Sequence, residues 1–75
     1  MSARHTEAAA TALCETWNWH YPEGTPVLVV RDMGNVLKTT TRSIAWITPS
    51  GSILIQVNGI AGGYSLSRVI PIPKP

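Results

Sequence analysis

The segment Ser52-Ile-Leu-Ile-Gln-Val57, which is followed by Asn58-Gly59, decides the fold. Its odd-numbered positions 53, 55 and 57 are all apolar and fall on one side of an extended strand. The other side, Leu54 and Gln56, is mixed. One apolar and one mixed face are typical of the middle of a small antiparallel sheet. The sequence therefore predicts a central strand over Ser52–Val57.

Turn residues on both sides of this strand predict its connections. Thr48-Pro49-Ser50-Gly51 predicts a tight turn that forms a hairpin with the segment before it. Asn58-Gly59 opens the next connection, and Gly62-Gly63 closes it. The central strand is thus expected to pair with neighbours in sequence.

Two further strands are predicted upstream of the hairpin. The β-branched run Val27–Arg31 is typical of a buried strand. The turn Asp32–Asn35 separates it from a longer strand, Val36–Ile47, whose first half is polar and second half apolar. A strand that changes character in this way is expected to bend, and we predict the bend at Thr41–Ser43.

The two ends of the chain differ in composition from the strands between them. Ser2–Asn18 is alanine-rich and predicts a helix that is capped by Ser2 or Thr6. We expect this helix to pack through Leu13 and Trp17 and to stop before Tyr21-Pro22. At the other end, Tyr64–Val69 predicts a short strand and one 3₁₀ turn. Ile70-Pro71-Ile72 predicts an edge strand, because proline donates no ladder hydrogen bond.

Together these elements predict a mainly β protein, and their order resembles a small SH3-like barrel with an N-terminal α-helix. Residues 1–75 are expected to form a single domain. Within it, residues 1–21 form the helix and its aromatic exit, residues 22–72 form the barrel, and residues 73–75 form a tail.

A second resemblance covers most of the chain after the helix. The residues that carry it are Tyr21-Pro22, Gly24-Thr25-Pro26-Val27, Thr41-Arg42-Ser43, Ala45-Trp46, Gly62-Gly63-Tyr64, Leu66 and Arg68-Val69. They are similar to a group of small phage and prophage proteins of unknown function. The resemblance implies an accessory protein of a mobile element, in the cytoplasm of a bacterial host, and it implies no particular chemistry.

A weaker likeness links the chain to the type II dihydrofolate reductases, which are SH3-like barrels of similar length. Their Val-Gln-Ile-Tyr motif precedes the 3₁₀ turn, where this chain has Ala61-Gly62-Gly63-Tyr64. Only the tyrosine matches, and the similar Ile55–Asn58 lies one strand too early. The likeness therefore does not extend to reductase activity.

Composition narrows the class of protein further. The chain has 75 residues, of which 44% are hydrophobic and only 13% are charged, which is too apolar for a disordered segment. No apolar run approaches the ~20 residues that span a bilayer, and no signal peptide is predicted, so we expect a cytoplasmic protein without membrane contact. The low charge and the unpaired sheet edges predict a homo-oligomer.

Catalytic groups are scarce. The chain has a single cysteine, Cys14, so no internal disulfide or cysteine metal site is predicted. Cys14 and His20 form the only candidate thiol–base pair, but they are six residues apart across a helix end, and a buried apolar thiol is the simpler interpretation. We predict no enzyme, no cofactor and no metal.

A binding surface is the remaining prediction. Lys38, Arg42 and Trp46 have the same parity in one predicted strand, so they are expected to share a face that contacts a partner protein or, alternatively, nucleic acid. A solvated, charge-protected edge strand is the competing interpretation. The full set of candidate contact residues is Arg31, Lys38, Arg42, Trp19, Tyr21, Tyr64 and Arg68.

Trp46 separates the structural and the functional interpretations. If the hairpin pairs Trp46 with Ile53, the indole shares the apolar face of the central strand. We therefore predict a mostly buried Trp46, with Lys38 and Arg42 in solvent. On this interpretation, Arg42→Ala weakens partner binding but leaves stability nearly unchanged.

Overall fold

A computed structural model describes residues 3–73, with the side chains of residues 8–73. Over these residues the chain forms one helix and two three-stranded antiparallel sheets, with strand orders β2-β1-β6 and β3-β4-β5. The predicted mainly β class with an N-terminal helix is therefore confirmed. The elements in chain order are α1 Ala3–His20, β1 Pro26–Val30, β2 Val36–Thr40, β3 Trp46–Ile47, β4 Ile53–Ile55, β5 Tyr64–Ser65, a 3₁₀ turn Leu66–Arg68, and β6 Val69–Pro71.

Helix α1 ends two residues later than predicted, at His20, and the amide of Tyr21 still donates to the carbonyl of Trp17 at 2.8 Å. Of the proposed caps, Ser2 lies outside the described residues and Thr6 lies inside the helix. Ala10, Cys14 and Trp17 form the buried side of the helix. The predicted packing through Trp17 is confirmed. The predicted packing through Leu13 is wrong, because Leu13 lies at the margin of the buried side and is 62% exposed.

The first sheet has an apolar inner face and a mixed outer face. Val27 and Val29 of β1 are fully buried and point into the core, as the predicted buried strand requires. On the outer face, Leu28 lies between Lys38 of β2 and Ile70 of β6. Within residues 3–73, strand β6 pairs only with β1, so the predicted proline-containing edge strand is confirmed.

The predicted long strand Val36–Ile47 divides into two strands that belong to different sheets. The chain bends at Arg42 and Ser43, so the predicted bend is confirmed. Thr41, which is only 2% exposed, marks the end of the first part and bridges to Val57. Its hydroxyl accepts hydrogen bonds from the amides of Gly24 and Thr25, both at 3.1 Å. Thr41 thus anchors the loop that leaves the helix.

The predicted central strand is confirmed, because β4 lies between β3 and β5. Ile55 and the following Val57 are fully buried. The predicted hairpin register is wrong by one residue, since Trp46 pairs with Leu54 and not with Ile53. A one-residue shift moves a side chain to the opposite face of the sheet. Trp46 therefore lies outside the core and is 37% exposed, so its predicted burial is wrong.

Gly63 explains how Trp46 packs on that outer face. A Cβ atom at Gly63 would lie 3.0 Å from the indole carbons of Trp46 and 3.1 Å from Cβ of Leu54. Gly63 therefore leaves the space that the indole fills. By contrast, Gly34, Gly51 and Gly59 have positive φ angles, as the predicted turns require.

The helix is fastened to the bend by one side chain. Asn18 accepts a hydrogen bond from the amide of Ala45 at 2.8 Å and donates one to the carbonyl of Ala45 at 2.9 Å. The amide side chain thus satisfies both polar groups of a backbone residue that is only 3% exposed. These two hydrogen bonds satisfy the backbone of Ala45 as a neighbouring strand would.

The two sheets do not close into a barrel over residues 3–73, so the structure does not confirm the SH3-like part of the prediction. The predicted 3₁₀ turn is confirmed at Leu66–Arg68, directly before β6. The core lies between the sheets and the helix and contains Trp17, Val27, Val29, Ile55 and Val57.

Candidate functional site: an apolar groove beside the helix

An open groove of about 530 Å³ runs between the C-terminal half of α1, the β3–β4 turn and the 3₁₀ turn. Its apolar walls are five side chains from three separate parts of the chain. The helix and the residue directly after it contribute three of them, β4 one and the 3₁₀ turn one. We call this surface the apolar groove: Leu13, Trp17, Tyr21, Ile53 and Leu66.

Helical periodicity positions three of these side chains. Leu13 and Trp17 are spaced four residues apart and therefore lie along one side of the helix. Tyr21 follows directly after the helix and extends the same side, because its amide still donates to the carbonyl of Trp17. The rings of Trp17 and Tyr21 are 4.5 Å apart between centroids and tilted by 48°. Trp17 is buried and Tyr21 half-buried, whereas Leu13 is mostly exposed. The groove is therefore deep at Trp17 and open at Leu13.

Hydroxyl groups form the rim of the groove. Thr16, Ser52, Ser65 and Ser67 line it together with Gly51. The hydroxyls of Ser65 and Ser67 lie 2.9 Å apart and bond to each other. Among the described residues that line the groove, none carries a charge. The groove is therefore suited to an uncharged apolar or aromatic group, with short polar contacts at its margin.

The indole of Trp17 has an unused donor. Its Nε1–H is buried and has no hydrogen-bond acceptor among residues 3–73. Leaving a buried donor unsatisfied costs about 1–3 kcal/mol, so such atoms are rare in folded proteins. Trp17 is thus held in place by packing, which includes the ring of Tyr21, and not by a hydrogen bond of its indole within residues 3–73.

The predicted aromatic contact residues fall on different sides of the helix exit. Tyr21 lines the groove. Trp19 is 85% exposed and lies about 200° around the helix from Trp17, at 100° per residue, so it faces away from the groove of its own chain. Tyr64 has a structural role, since its hydroxyl donates to the carbonyl of Val30 at 3.0 Å and joins the two sheets.

The predicted face shared by Lys38, Arg42 and Trp46 is not formed. Lys38 lies on the outer face of the first sheet, opposite Leu28. Trp46 belongs to the second sheet, and Arg42 lies in the bend between them. Lys38 and Arg42 are both exposed, as predicted. The prediction of a shared face is wrong because the bend interrupts the strand. Side chains alternate between the two faces only along a continuous strand.

Arg42 is held by its neighbours across the bend. Its guanidinium donates to the carbonyl of Val57 at 3.2 Å, to Oε1 of Gln56 at 3.3 Å and to the carbonyl of Ile60 at 3.1 Å. The side chain thus ties the bend to the Asn58-Gly59 turn. A partner would have to compete with these three hydrogen bonds.

We therefore expect Arg42→Ala to lower the free energy of unfolding by about 1–2 kcal/mol, because several net-stabilising hydrogen bonds are lost. Urea denaturation followed by circular dichroism measures this change. Lys38→Ala is the matched control: Lys38 is also an exposed cation, but it has no hydrogen bond or ion pair within residues 3–73, and we expect less than about 0.5 kcal/mol. Equal effects of the two substitutions would contradict the structural role of Arg42.

The two other predicted cations lie near the β1–β2 turn. Arg68 donates to Oδ1 of Asp32 at 2.7 Å, in an ion pair whose side chains are 46% and 86% exposed. Such an exposed pair contributes little to stability. Arg31, next to Asp32, is exposed and makes no side-chain hydrogen bond within the described part of the chain. The four candidate cations thus lie on four different elements: the β1–β2 turn, β2, the bend and the 3₁₀ turn.

The candidate thiol–base pair is not formed. Cys14 is buried in the core and His20 is exposed, about 120° away around the helix. Nδ1 of His20 lies 2.9 Å from the carbonyl of Thr16. Burial, and secondarily the negative charge of Glu15, raises the pKa of the Cys14 thiol. The thiol therefore remains protonated at neutral pH. Over the described residues, no cluster of His, Cys, Asp or Glu is arranged to hold a metal ion.

Sequence reasoning missed two walls of the groove, Ile53 and Leu66, because they come together only in the folded chain. It also missed Asn18, which fastens the helix. An asparagine three residues before Tyr21-Pro22 was a signal for a special role near the helix end, since asparagine is a poor helix former that bonds readily to backbone groups.

Comparisons with known proteins do not assign this chain to a family. The chain matches no protein-family model, no curated protein and no solved structure. In addition, none of the described helices is long and apolar enough to cross a membrane.

Proposed function

We propose that this protein is a non-enzymatic binding module that holds an apolar, aromatic-bearing segment of a partner protein in the apolar groove. The observation that supports the proposal is the groove itself: about 530 Å³, walled by Trp17 and Tyr21 and free of charged lining residues. Its volume lies within the range of roughly 300–1,000 Å³ that is typical of pockets for small ligands. Aromatic anchors in desolvated pockets supply most of the free energy at protein interfaces.

Leu13 offers a direct test, because it lies at the open end of the groove and is 62% exposed. Leu13→Glu places a carboxylate at the mouth of the groove while keeping a good helix former. We expect the wild-type protein, used as bait in a bacterial lysate, to enrich a protein that the Leu13→Glu bait does not retain. Quantitative mass spectrometry compares the two baits, and titration of the purified partner measures the affinity.

Met33→Ala is the matched control bait. Met33 is 88% exposed in the β1–β2 turn, so it is an apolar surface residue that does not line the groove. We expect this bait to retain the partner as well as the wild type does. A partner that binds equally well to the Leu13→Glu bait, or no enriched protein at all, would contradict the proposal.

The nucleic-acid alternative has less support, since Arg42 is engaged across the bend and Arg68 pairs with Asp32. Arg31 and Lys38 remain as exposed cations among the predicted contact residues. Two phosphate contacts predict a decrease of log K with log salt concentration of slope about −1.8 for duplex DNA. Titration of a fluorescent oligonucleotide at several salt concentrations measures this slope.

We also propose that the two sheets are arranged as in an SH3-like fold. A strand that bends from one sheet into the other, and a 3₁₀ turn just before the last strand, support an SH3-like arrangement. The origin in a phage or prophage, and the cytoplasm of a bacterial host as location, follow from the sequence resemblance alone. Backbone assignment by NMR with inter-strand distance restraints tests the arrangement of the two sheets.

A further inference from the structure

Strand β2 lies at an edge of the first sheet, and part of its backbone has no partner. The amide of Arg31 donates to the carbonyl of Asn35 at 2.8 Å, so the odd-numbered residues of β2 make the hydrogen bonds to β1. The N–H and C=O groups of Val36 and Lys38 therefore point away from β1. They have no hydrogen-bond partner among residues 8–73.

The other sheet edges are less open. In β6, the amide of Ile72 donates to the carbonyl of Pro26, so Val69 and Pro71 face the free edge. Proline has no N–H, and the amide of Val69 donates to the carbonyl of Leu66, so β6 offers no donor at this edge within the described residues. Strands β3 and β5 have only two residues each. Strand β2 is therefore the edge at which an added strand can form bonds to both N–H and C=O groups.

We infer that β2 binds an extended segment of a partner protein, which joins the first sheet as a fourth, antiparallel strand and carries an acidic residue two positions before an apolar one. Backbone pairing at a sheet edge is an established mode of peptide recognition. Val36 and Lys38 each supply one donor and one acceptor, and the amide of Asn58 ends the free edge by donating to the carbonyl of Thr40. The site is separate from the apolar groove, because the described residues that line the groove include none from β2.

The outer face of β2 determines which side chains fit. Val36 and Lys38 both lie on this face, opposite Val30 and Leu28 of β1. Because an antiparallel strand runs in the opposite direction, its residue opposite Lys38 comes two positions before its residue opposite Val36. An acidic residue opposite Lys38 forms a favourable cross-strand pair. An apolar residue opposite Val36 covers a valine that is 57% exposed.

Charge complementarity favours an acidic segment over a second copy of this chain. Arg31 and Lys38 lie at the two ends of the free edge, and both side chains are exposed and make no hydrogen bond among residues 8–73. The neighbouring acid, Asp32, is already paired with Arg68. A second copy would bring the same two cations to this edge, and lysines on edge strands are a device by which proteins avoid pairing with themselves. A carboxylate on the added strand offsets this positive charge.

Hydrogen exchange of the protein alone tests whether the edge is free. We expect the amides of Val36 and Lys38 to exchange without protection, and those of Leu37 and Thr39, which bond to β1, to be protected. The measurement covers about 10 µM to about 1 mM protein. Protection of Val36 and Lys38 at the lowest concentration would show an edge closed within the chain, and protection that appears with concentration would show pairing with a second copy. Either result would overturn the inference.

The probe for binding is the peptide acetyl-Thr-Glu-Thr-Val-Thr-amide, whose glutamate is placed opposite Lys38 and whose valine is placed opposite Val36. We expect it to shift the amide NMR signals of Val36 and Lys38 and to leave the methyl signals of Ile53 and Leu66 in the groove unchanged. N-methylation of the glutamate removes an N–H that faces β2, and we expect it to weaken binding at least about 10-fold. N-methylation of the central threonine removes an N–H that faces solvent, and we expect a change below about 2-fold. Equal effects of the two methyl groups, or no binding at about 1 mM peptide, would contradict strand addition at β2.

Lys38→Glu tests the charge pair, with a second peptide that has lysine in place of glutamate. We expect the variant to bind the glutamate peptide about 5- to 10-fold more weakly than the wild type does, and to bind the lysine peptide more tightly than the wild type does. The gain for the lysine peptide shows that the variant is folded. An unchanged preference would overturn the inference. A thymidine oligonucleotide that shifts the Val36 and Lys38 signals when the glutamate peptide does not would overturn it in favour of nucleic acid.

Leu13→Glu is the control that separates this site from the proposed partner site in the groove. It changes the mouth of the groove and leaves β2 intact, so we expect it to bind the glutamate peptide as the wild type does. Partner capture through the groove can thus fail while the peptide still binds at β2, and the reverse also holds. A loss of peptide binding in Leu13→Glu equal to that in Lys38→Glu would place the peptide in the groove and overturn the inference.

Discussion

Trp17→Ala is expected to lower the free energy of unfolding by ~3–5 kcal/mol, as truncations of buried large aromatics do. Trp17 is only 8% exposed and joins the helix to the core that contains Val27 and Ile55. A domain of 75 residues has a total stability of roughly 4–11 kcal/mol. The loss therefore amounts to a large part of the stability, and the variant is expected to unfold at a much lower urea concentration than the wild type.

The remaining tryptophans provide the controls for this prediction. Trp46 is 37% exposed, so we expect Trp46→Ala to cost only about 1–2 kcal/mol. Trp19 is 85% exposed, and Trp19→Ala is expected to change stability by less than about 0.5 kcal/mol. Urea denaturation of all three variants, followed by circular dichroism, measures the order. A Trp46→Ala loss equal to that of Trp17→Ala would restore the sequence-based prediction of a core Trp46.

Trp17→Phe examines the unsatisfied donor separately. Phenylalanine keeps a ring beside Tyr21 but removes the buried Nε1–H that has no acceptor within residues 3–73. Removing an unsatisfied donor gains free energy, whereas the smaller ring leaves a cavity. We expect the two effects to offset each other, so that Trp17→Phe remains within about 1.5 kcal/mol of the wild type. A loss as large as that of Trp17→Ala would show that the indole has a polar contact.

The strand pattern was predictable because it depends on local signals. Proline, glycine and asparagine marked the turns, and the change from polar to apolar residues marked the bend near Thr41. The register of the β3–β4 hairpin was not predictable from the same signals. It depends on how many residues the Thr48–Gly51 turn takes up, and an error of one residue placed Trp46 on the wrong face.

The candidate site was predictable only in part, for a related reason. Tyr21 was expected at a contact surface because it ends a helix among other aromatics, and it does line the groove. Ile53 and Leu66 line the groove from elements that are distant in sequence, and nothing in their local sequence distinguishes them from core residues. Arg42 was assigned to a binding surface by its charge and by its shared parity with Lys38 and Trp46. Its hydrogen bonds to the carbonyls of Val57 and Ile60 exist only after the bend has formed.

Asn18→Leu is expected to lower the free energy of unfolding by about 2–4 kcal/mol, although leucine is the better helix former. In the wild type, the Asn18 amide satisfies both the N–H and the carbonyl of Ala45. Leucine is of similar size, so it excludes water and leaves both buried groups without a partner. Each unsatisfied buried polar group costs about 1–3 kcal/mol.

Asn18→Ala distinguishes the polar effect from lost packing. Alanine leaves room for a water molecule that can bond to the Ala45 backbone, so we expect a smaller loss, about 1–2 kcal/mol. Hydrogen exchange of the Ala45 amide gives a direct readout: protection is expected in the wild type and loss of protection in both variants. Glu15→Leu is the control on the exposed side of the same helix, with an expected change below about 0.5 kcal/mol. If Asn18→Ala were the more destabilising of the two Asn18 variants, packing and not the hydrogen-bond pair would fasten the helix to the sheets.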